Sequence, residues 1–329
     1  MIEEIAAGGG SWEESLANTP ASIIVDWGTT SLRAALVTAT GMTVAARETE
    51  GGIQFVEDRR FEAALMDAVG DWFEAHGLLP VLAIGMITSR NGWIEVPYVD
   101  APAGVDELAG GTHSITLGNG ATLTFLAGLR NPAGEPFPDV MRGEETQIVG
   151  FGLERDMTLV LPGTHSKWAR MENGRIDRFQ TYVTGEVFAL LTRHSFIART
   201  AAPQAGTDVD WAAFERGAKL AAGGSPASDA FLALIFSART GILDGKLAPA
   251  EIADYVSGLV IGSEFRQARA AGWFSHGDRI GIVGNDGLND RYRRVAPLFG
   301  LSAEEGPADA ATKGVLAISD RLPRRVEPA

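Results

Sequence analysis

The sequence predicts an α/β fold assembled from two similar halves. Three observations carry that reading. Short apolar runs suited to buried strands alternate with stretches of helical spacing along most of the chain. A strand-turn-strand segment near residue 25 recurs near residue 160. The length, 329 residues, fits two domains of roughly 150 residues each.

Taken in order, residues 1–20 read as an N-terminal extension ending at Pro20, residues 21–139 as a first domain and residues 140–329 as a second. Ser22–Val25 is an apolar run that suits a buried strand, followed by a turn over Asp26–Ser31 and a return strand over Leu32–Thr38. Thr40-Gly41 turns the chain into a third strand over Met42–Glu48. Phe61, Leu65, Ala68, Val69, Trp72 and Phe73 then recur at helical spacing, with Asp58 placed to cap the helix and Gly77 to stop it. Val81–Met86 suits another buried strand, residues 91–138 read as strands joined by loops, and Glu144–Leu153 as a helix.

The second half follows the same plan. Thr158–Leu161 is a strand, Pro162–Lys167 a turn and Trp168–Met171 a return, closed by a hairpin turn at Glu172-Asn173-Gly174. Phe179–Val183 is strand-like, and helices follow, the clearest from Pro249 to Ala271. Ile280–Val283 is a last strand, leading into the loop Gly284-Asn285-Asp286-Gly287 and a terminal helix over Ala310–Arg321. Arg291–Arg294 reads as a solvated basic face.

Composition narrows the function. Glycine is in excess, 40 of 329 residues against an average near 7%, without the every-third-residue period of collagen. With 45% hydrophobic and 21% charged residues the chain is globular rather than disordered, so the glycines mark turns and places where backbone meets a ligand. The net charge of −14 argues against nucleic acid as a partner. The absence of cysteine removes disulfides and thiolate chemistry and fits a cytoplasmic protein. The first residues are acidic, and the longest apolar stretch, near Leu78–Ile87, contains Pro80 and Gly85. Neither a signal peptide nor a membrane association is expected.

The repeat is the strongest local signal. Gly28-Thr29-Thr30-Ser31-Leu32-Arg33-Ala34 and Gly163-Thr164-His165-Ser166-Lys167-Trp168-Ala169 both read G-T-x-S-x-x-A after an apolar strand. Such turns present backbone N–H groups and hydroxyls to an anion, so a phosphate-bearing cofactor is expected at both. Asp26, at the end of the first strand, is placed to bind Mg²⁺, which takes one or two carboxylates and keeps several waters. Arg33 and Lys167 supply local positive charge, and His165 either donates to phosphate or makes a structural bond. The loop Gly284–Gly287, following a strand, suits nucleotide contact, with Asp286 a ribose partner. Neither a Walker-type loop nor a dinucleotide fingerprint is present, and the remaining histidines lack ligand spacing.

The order of these motifs resembles the actin-like ATPase superfamily, and within it the 2-dehydro-3-deoxygalactonokinase family. The resemblance rests on Asp26–Arg33, Gly85–Trp93 with Val96-Pro97-Tyr98, Met141-Arg142-Gly143-Glu144-Glu145-Thr146-Gln147, Pro162–Trp168, Thr184-Gly185-Glu186 and Ser257–Gly262. It implies two ribonuclease H-like domains with an interdomain cleft, ATP and Mg²⁺ as cofactors, and phosphorylation of the 6-hydroxyl of 2-dehydro-3-deoxy-D-galactonate in galactonate catabolism. Another sugar kinase of the superfamily, or an ATPase or nucleotide sensor without an acceptor, is the alternative. A homo-oligomer is compatible with the sequence.

The resemblance also assigns residues. The superfamily's second hairpin carries an aspartate where this chain has Leu161 or Pro162, so the catalytic base is sought at Glu144 or Glu145, with Asp100 and Glu186 less favoured. Adjacent glutamates at a helix start also offset the helix dipole. A sugar-acid carboxylate calls for a guanidinium fork, for which Arg90 and Arg142 stand in matching motifs, with Ser89, Asn91 and Trp93 beside them. Arg90 reads equally as a surface residue and Trp93 as core. Thr184 and Glu186 either contact substrate or cap a helix. Gly258 and Gly262 imply close helix packing, beneath an adenine or within the fold alone.

Overall fold

A computed structural model describes residues 18–200, 208–223 and 230–322; residues 1–17 of the expected extension lie outside them. The chain divides into two compact units. The first takes the chain through Pro132, Val140–Gly150 and the segment from Asp309; the second takes Ala133–Asp139 and Phe151–Ala308. This grouping differs from the single break expected at 139/140. The C-terminal helix, Ala310–Ser319, belongs with the first unit because glycine lets it lie directly on an earlier helix. A Cβ on Gly150 would stand 1.8 Å from the Ala310 carbonyl oxygen, and one on Gly314 1.8 Å from that of Thr146.

In the first unit β1 (Pro20–Trp27), β2 (Leu32–Thr38) and β3 (Thr43–Thr49) form an antiparallel meander, followed by α1 (Phe61–His76) and β4 (Val81–Ile84). Then come β5 (Val99–Asp100), α2 (Val105–Gly110), β6 (His113–Thr116), β7 (Thr122–Phe125), β8 (Leu129–Asn131), β9 (Asp139–Met141) and α3 (Glu144–Phe151). The main sheet has the order β3-β2-β1-β4-β7-β6, with β4 parallel to β1 and β7 parallel to β4. One face of β1 and β2 (Ile23, Val25, Trp27, Leu32, Leu36) shares a core with Phe61, Leu65, Val69 and Trp72 of α1. That is the stripe read from sequence.

Two expectations fail here. Asp58 does not cap α1: it sits at φ 51° inside a 3₁₀ turn, and the helix starts after Arg60 without a side-chain cap. Residues 91–138 contain α2, whose six residues are too few to show helical periodicity.

The second unit contains β10 (Met157–Leu161), β11 (Ser166–Glu172), β12 (Arg175–Tyr182), α4 (Thr184–His194), α5 (Trp211–Ala222), α6 (Phe231–Leu243), α7 (Ile252–Ala270), β13 (Arg279–Ile282), α8 (Asp286–Val295) and β14 (Ser302–Glu305). Its sheet runs β12-β11-β10-β13-β14, an antiparallel meander continued by two parallel strands. This is the plan of β3-β2-β1-β4-β7, so the sequence repeat marks the first hairpin of two like sheets. The turn at Asn173-Gly174 adopts positive φ at both residues, as expected of a tight hairpin.

The loop expected over Gly284–Gly287 ends early. Asn285 caps α8, accepting the Leu288 N–H at 3.0 Å, and Asp286 and Gly287 lie in the first helical turn. The basic face expected at Arg291–Arg294 is not simply solvated, since Tyr292 is 1% exposed and Arg291 pairs with the buried Asp254 at 3.1 Å. Gly258 and Gly217 bring α7 and α5 into backbone contact: added Cβ atoms would stand 2.0 Å from the Phe214 oxygen and 2.1 Å from the Tyr255 oxygen. Packing within the fold accounts for Gly258. Among the described residues no helix is long and apolar enough to cross a membrane.

Candidate active site

In the first unit, parallel pairing of β1 with β4 sets Asp26 opposite Ile84 and brings Gly85 beside the Asp26 carboxylate. Ligand sites in such sheets lie at the carboxyl ends of the strands. Burial pushes the Asp26 carboxyl up from its ordinary value, Arg33 opposes this, and the nearby Glu144 reinforces it. Two acidic groups in a half-buried setting fit a hard divalent cation with retained waters. Among the described residues no group of three or more metal-ligating side chains is preassembled. Arg33 itself is exposed and paired with Glu48 at 2.9 Å.

The turn after β1 is closed by Gly28 N–H donating to the Ser31 carbonyl at 2.9 Å. The carbonyls of Gly28, Thr29 and Thr30 accept from Ile53, Gln54 and Gly52. Thr29 and Thr30 are exposed. The bracing loop at Gly51–Gln54, with the Trp27 indole donating to Gly51 at 2.8 Å, was not foreseen; its Gly-Gly pair was the available signal.

The start of α3 separates the two glutamates. Glu145 is 1% exposed and both its oxygens accept the Gly143 N–H, at 2.9 and 2.8 Å. Burial, with Glu144 adding to it, pushes its carboxyl up to about 8. Glu144 is half-buried, accepts the Arg142 N–H at 3.0 Å, and acts electrostatically on Asp26. Glu145 is therefore the internal cap and Glu144 the side chain of the pair associated with Asp26.

Arg142 lies 4.2 Å over the Tyr98 ring, with its guanidinium donating to the Thr88 hydroxyl and the Val96 carbonyl and its Nε buried without a partner. The other guanidinium candidate differs. Arg90 is 85% exposed and 3.5 Å from Glu95. Ser89 donates to the Met86 carbonyl at 2.7 Å, and Asn91 is exposed. Trp93 is half-buried and packs against the core, its ring 6.0 Å from Phe61 and 5.7 Å from Phe125. Asp100 is engaged by Arg130 at 2.6 and 2.8 Å, which holds its carboxyl below the usual range.

In the second unit the turn after β10, the start of α4 and the start of α8 come together. Glu186 N–H donates to the Thr164 carbonyl at 3.0 Å, and the His165 ring meets the Glu186 carboxylate at 2.7 Å. A Cβ on Gly284 would stand 3.4 Å from the Pro162 oxygen, so that loop abuts Gly163. A cavity of about 100 Å³ is lined there by Gly163, Gly185, Ser257, Leu288 and Arg291 among others. Lys167 is buried and donates to the His165 carbonyl at 3.0 Å. Thr184 is the first residue of α4 rather than its cap, which is Val183. The Ser166 hydroxyl donates at 2.8 Å to Glu264, a buried carboxylate of α7 that sequence reasoning did not single out. A glutamate among the apolar residues and glycines of α7 was the signal for it.

Comparison with known proteins agrees with this arrangement. The 2-keto-3-deoxy-galactonokinase family model matches residues 26–318. A Rhizobium meliloti (strain 1021) protein assigned as a 2-dehydro-3-deoxygalactonokinase is 33% identical over 90% of this chain and 95% of its own. The 2-dehydro-3-deoxygalactonokinase of Escherichia coli (strain K12) is 31% identical over 88% and 94%. A crystal structure of a Sinorhizobium meliloti protein assigned the same activity superposes with a TM-score of 0.78, at 31% identity over 91% of this chain and 98% of that one. With the match beginning at Asp26 and running through every motif of both units, the chain belongs to the 2-keto-3-deoxy-galactonokinase family.

Proposed function

We propose that this protein transfers the γ-phosphoryl group of ATP to the 6-hydroxyl of 2-dehydro-3-deoxy-D-galactonate, as a cytoplasmic enzyme of sugar-acid catabolism. The observation that carries this reading is the similarity to two curated kinases of that name over 88–90% of the chain. The sheet order common to both units supports two ribonuclease H-like halves.

The geometry supports the following roles. Glu144 takes the proton of the attacking hydroxyl, since Glu145 is held against Gly143. The substrate oxygen forms a bond to the γ-phosphorus, the bond to the bridging oxygen breaks, and ADP departs with that electron pair. Asp26 would hold Mg²⁺, which when bound neutralises the phosphate charge developing in the transition state. In the second unit, the backbone at Gly163 and Gly284 and the adjoining cavity receive the nucleotide. Arg142, whose guanidinium is oriented by Thr88 and Val96, would pair with the substrate carboxylate.

A coupled assay of ADP release tests the reading, run with the galactonate-derived acid, its gluconate-derived epimer and no acceptor. Release that depends on the galactonate-derived acid is expected. Release at the same rate without any acceptor would overturn the reading in favour of an ATPase.

A further inference from the structure

The carboxylate of Glu264 lies at the junction of three segments to which the proposed function assigns the nucleotide. Its Oε1 accepts the Ser166 hydroxyl at 2.8 Å and the Trp168 indole N–H at 2.7 Å. Its Oε2 accepts the Tyr292 hydroxyl at 2.6 Å, and the Thr184 hydroxyl contributes a further bond. Ser166 opens β11 just after the Gly163 turn, Thr184 opens α4, and Tyr292 sits on α8 after Gly284-Asn285. Glu264 is 2% exposed and Tyr292 1%. No cation takes part in these bonds, so a buried acid is satisfied by neutral donors alone. Hydrogen bonds to a carboxylate are stronger than neutral ones, and a buried donor left alone is costly.

The helix carrying Glu264 is itself fixed. Gly258 and Gly262 press α7 against α5, where Cβ atoms would stand 2.0 Å from the Phe214 oxygen and 2.8 Å from the Ala221 Cβ. The carboxylate thus transmits a rigid reference position to three separate backbones. Ser166, which the sequence pattern offers as a phosphate ligand, spends its hydroxyl inside this junction.

We propose that Glu264 is a positioning residue for the nucleotide: it holds the Gly163 turn, the start of α4 and the start of α8 in one register, so that their backbones meet ATP together. This rests on the nucleotide site of the proposed function. In this role Glu264 acts through the segments it holds, and its effect falls on nucleotide affinity rather than on the sugar acid.

The test is titration calorimetry of ADP with Mg²⁺ on wild type, Glu264→Gln, Glu264→Leu and Tyr292→Phe, with the KM of each substrate measured alongside. Gln keeps an acceptor for Ser166 and Trp168, whereas Leu strands all the donors. ADP affinity is expected to fall about 10-fold in Glu264→Gln and in Tyr292→Phe, and further in Glu264→Leu, while the KM of the sugar acid stays within about twofold. Tyr292→Phe removes one donor and no volume, so it decides the matter where Glu264→Leu does not fold. Variants that lose thermal stability but bind ADP as wild type does would overturn the inference, leaving the nucleotide site intact. A wild-type protein that does not bind ADP would instead remove the site reading beneath it.

Discussion

The Asp26 carboxylate and Gly85 are in close opposition: a Cβ on Gly85 would lie 2.8 Å from Asp26 Oδ1 and 3.1 Å from the Trp27 carbonyl oxygen. Gly85 also has a φ of +85°, a conformation other residues adopt at a cost of about 1–2 kcal/mol. Gly85→Ala is therefore expected to destabilise the fold by about 1–3 kcal/mol and, by displacing Asp26, to lower kcat/KM at least about 10-fold. Urea denaturation and steady-state kinetics measure both. An alanine variant with wild-type turnover would remove Asp26 from the site.

Glu144 and Glu145, adjacent in sequence, should behave oppositely. Glu144→Gln is expected to lower kcat by about 10²–10⁴ with little change in KM, the signature of a lost general base. Glu145→Gln keeps an acceptor for Gly143 and should retain most of the activity. Wild-type turnover in both variants would show that neither glutamate is the base.

Glu145 also makes stability depend on pH. Its carboxyl is raised from 4.5 in the free group to about 8 in the fold. Below pH 4.5 it is neutral in both states and its burial costs no charge. As pH rises toward 8 the unfolded chain releases this proton first, so stability falls through that window. At about 1.4 kcal/mol per unit, the whole effect amounts to a few kcal/mol. Glu145→Gln should match wild type at pH 5 and be more stable at pH 9. Melting temperatures across this range check it, and a gap that narrows as pH rises would contradict the assignment.

Those contrasts show where the sequence was readable. The apolar run Ser22–Val25 and the helical stripe of α1 predicted their own burial, because runs and periodicity report which residues meet a core. Trp27, read as part of the turn, instead closes β1 and joins that core. The two G-T-x-S-x-x-A hairpins marked the opening of each sheet for the same local reason. What stayed hidden depends on distant partners. Ser166 looks like a phosphate ligand until Glu264, 98 residues away, takes its hydroxyl. Trp93 stood beside candidate substrate residues but packs against Phe61 and Phe125. Glu144 and Glu145 became distinguishable only when the turn at Gly143 buried one carboxylate and left the other half-open.

The ion pair of Asp254 and Arg291 carries the same lesson into stability. Arg291 lies in a run of basic residues that reads as solvated, yet its guanidinium donates to Asp254 at 3.1 Å and to Ser257 at 3.1 Å. The side chains are 18% and 3% exposed, and Asp254 also accepts the Asp210 N–H at 2.8 Å. Removing one partner takes the counter-charge away from the other at a buried site, which costs about 3–5 kcal/mol. Arg294 stands 4.0 Å over the Trp211 ring and is 44% exposed, so its truncation should cost about 1 kcal/mol or less. Arg291→Met should therefore destabilise far more than Arg294→Ala, and adding Asp254→Leu to Arg291→Met should restore part of the loss. The Asp210 N–H left behind limits that recovery. Urea midpoints of the two single variants and the double give the coupling directly, and strictly additive losses would show that the pair does not act as a buried unit.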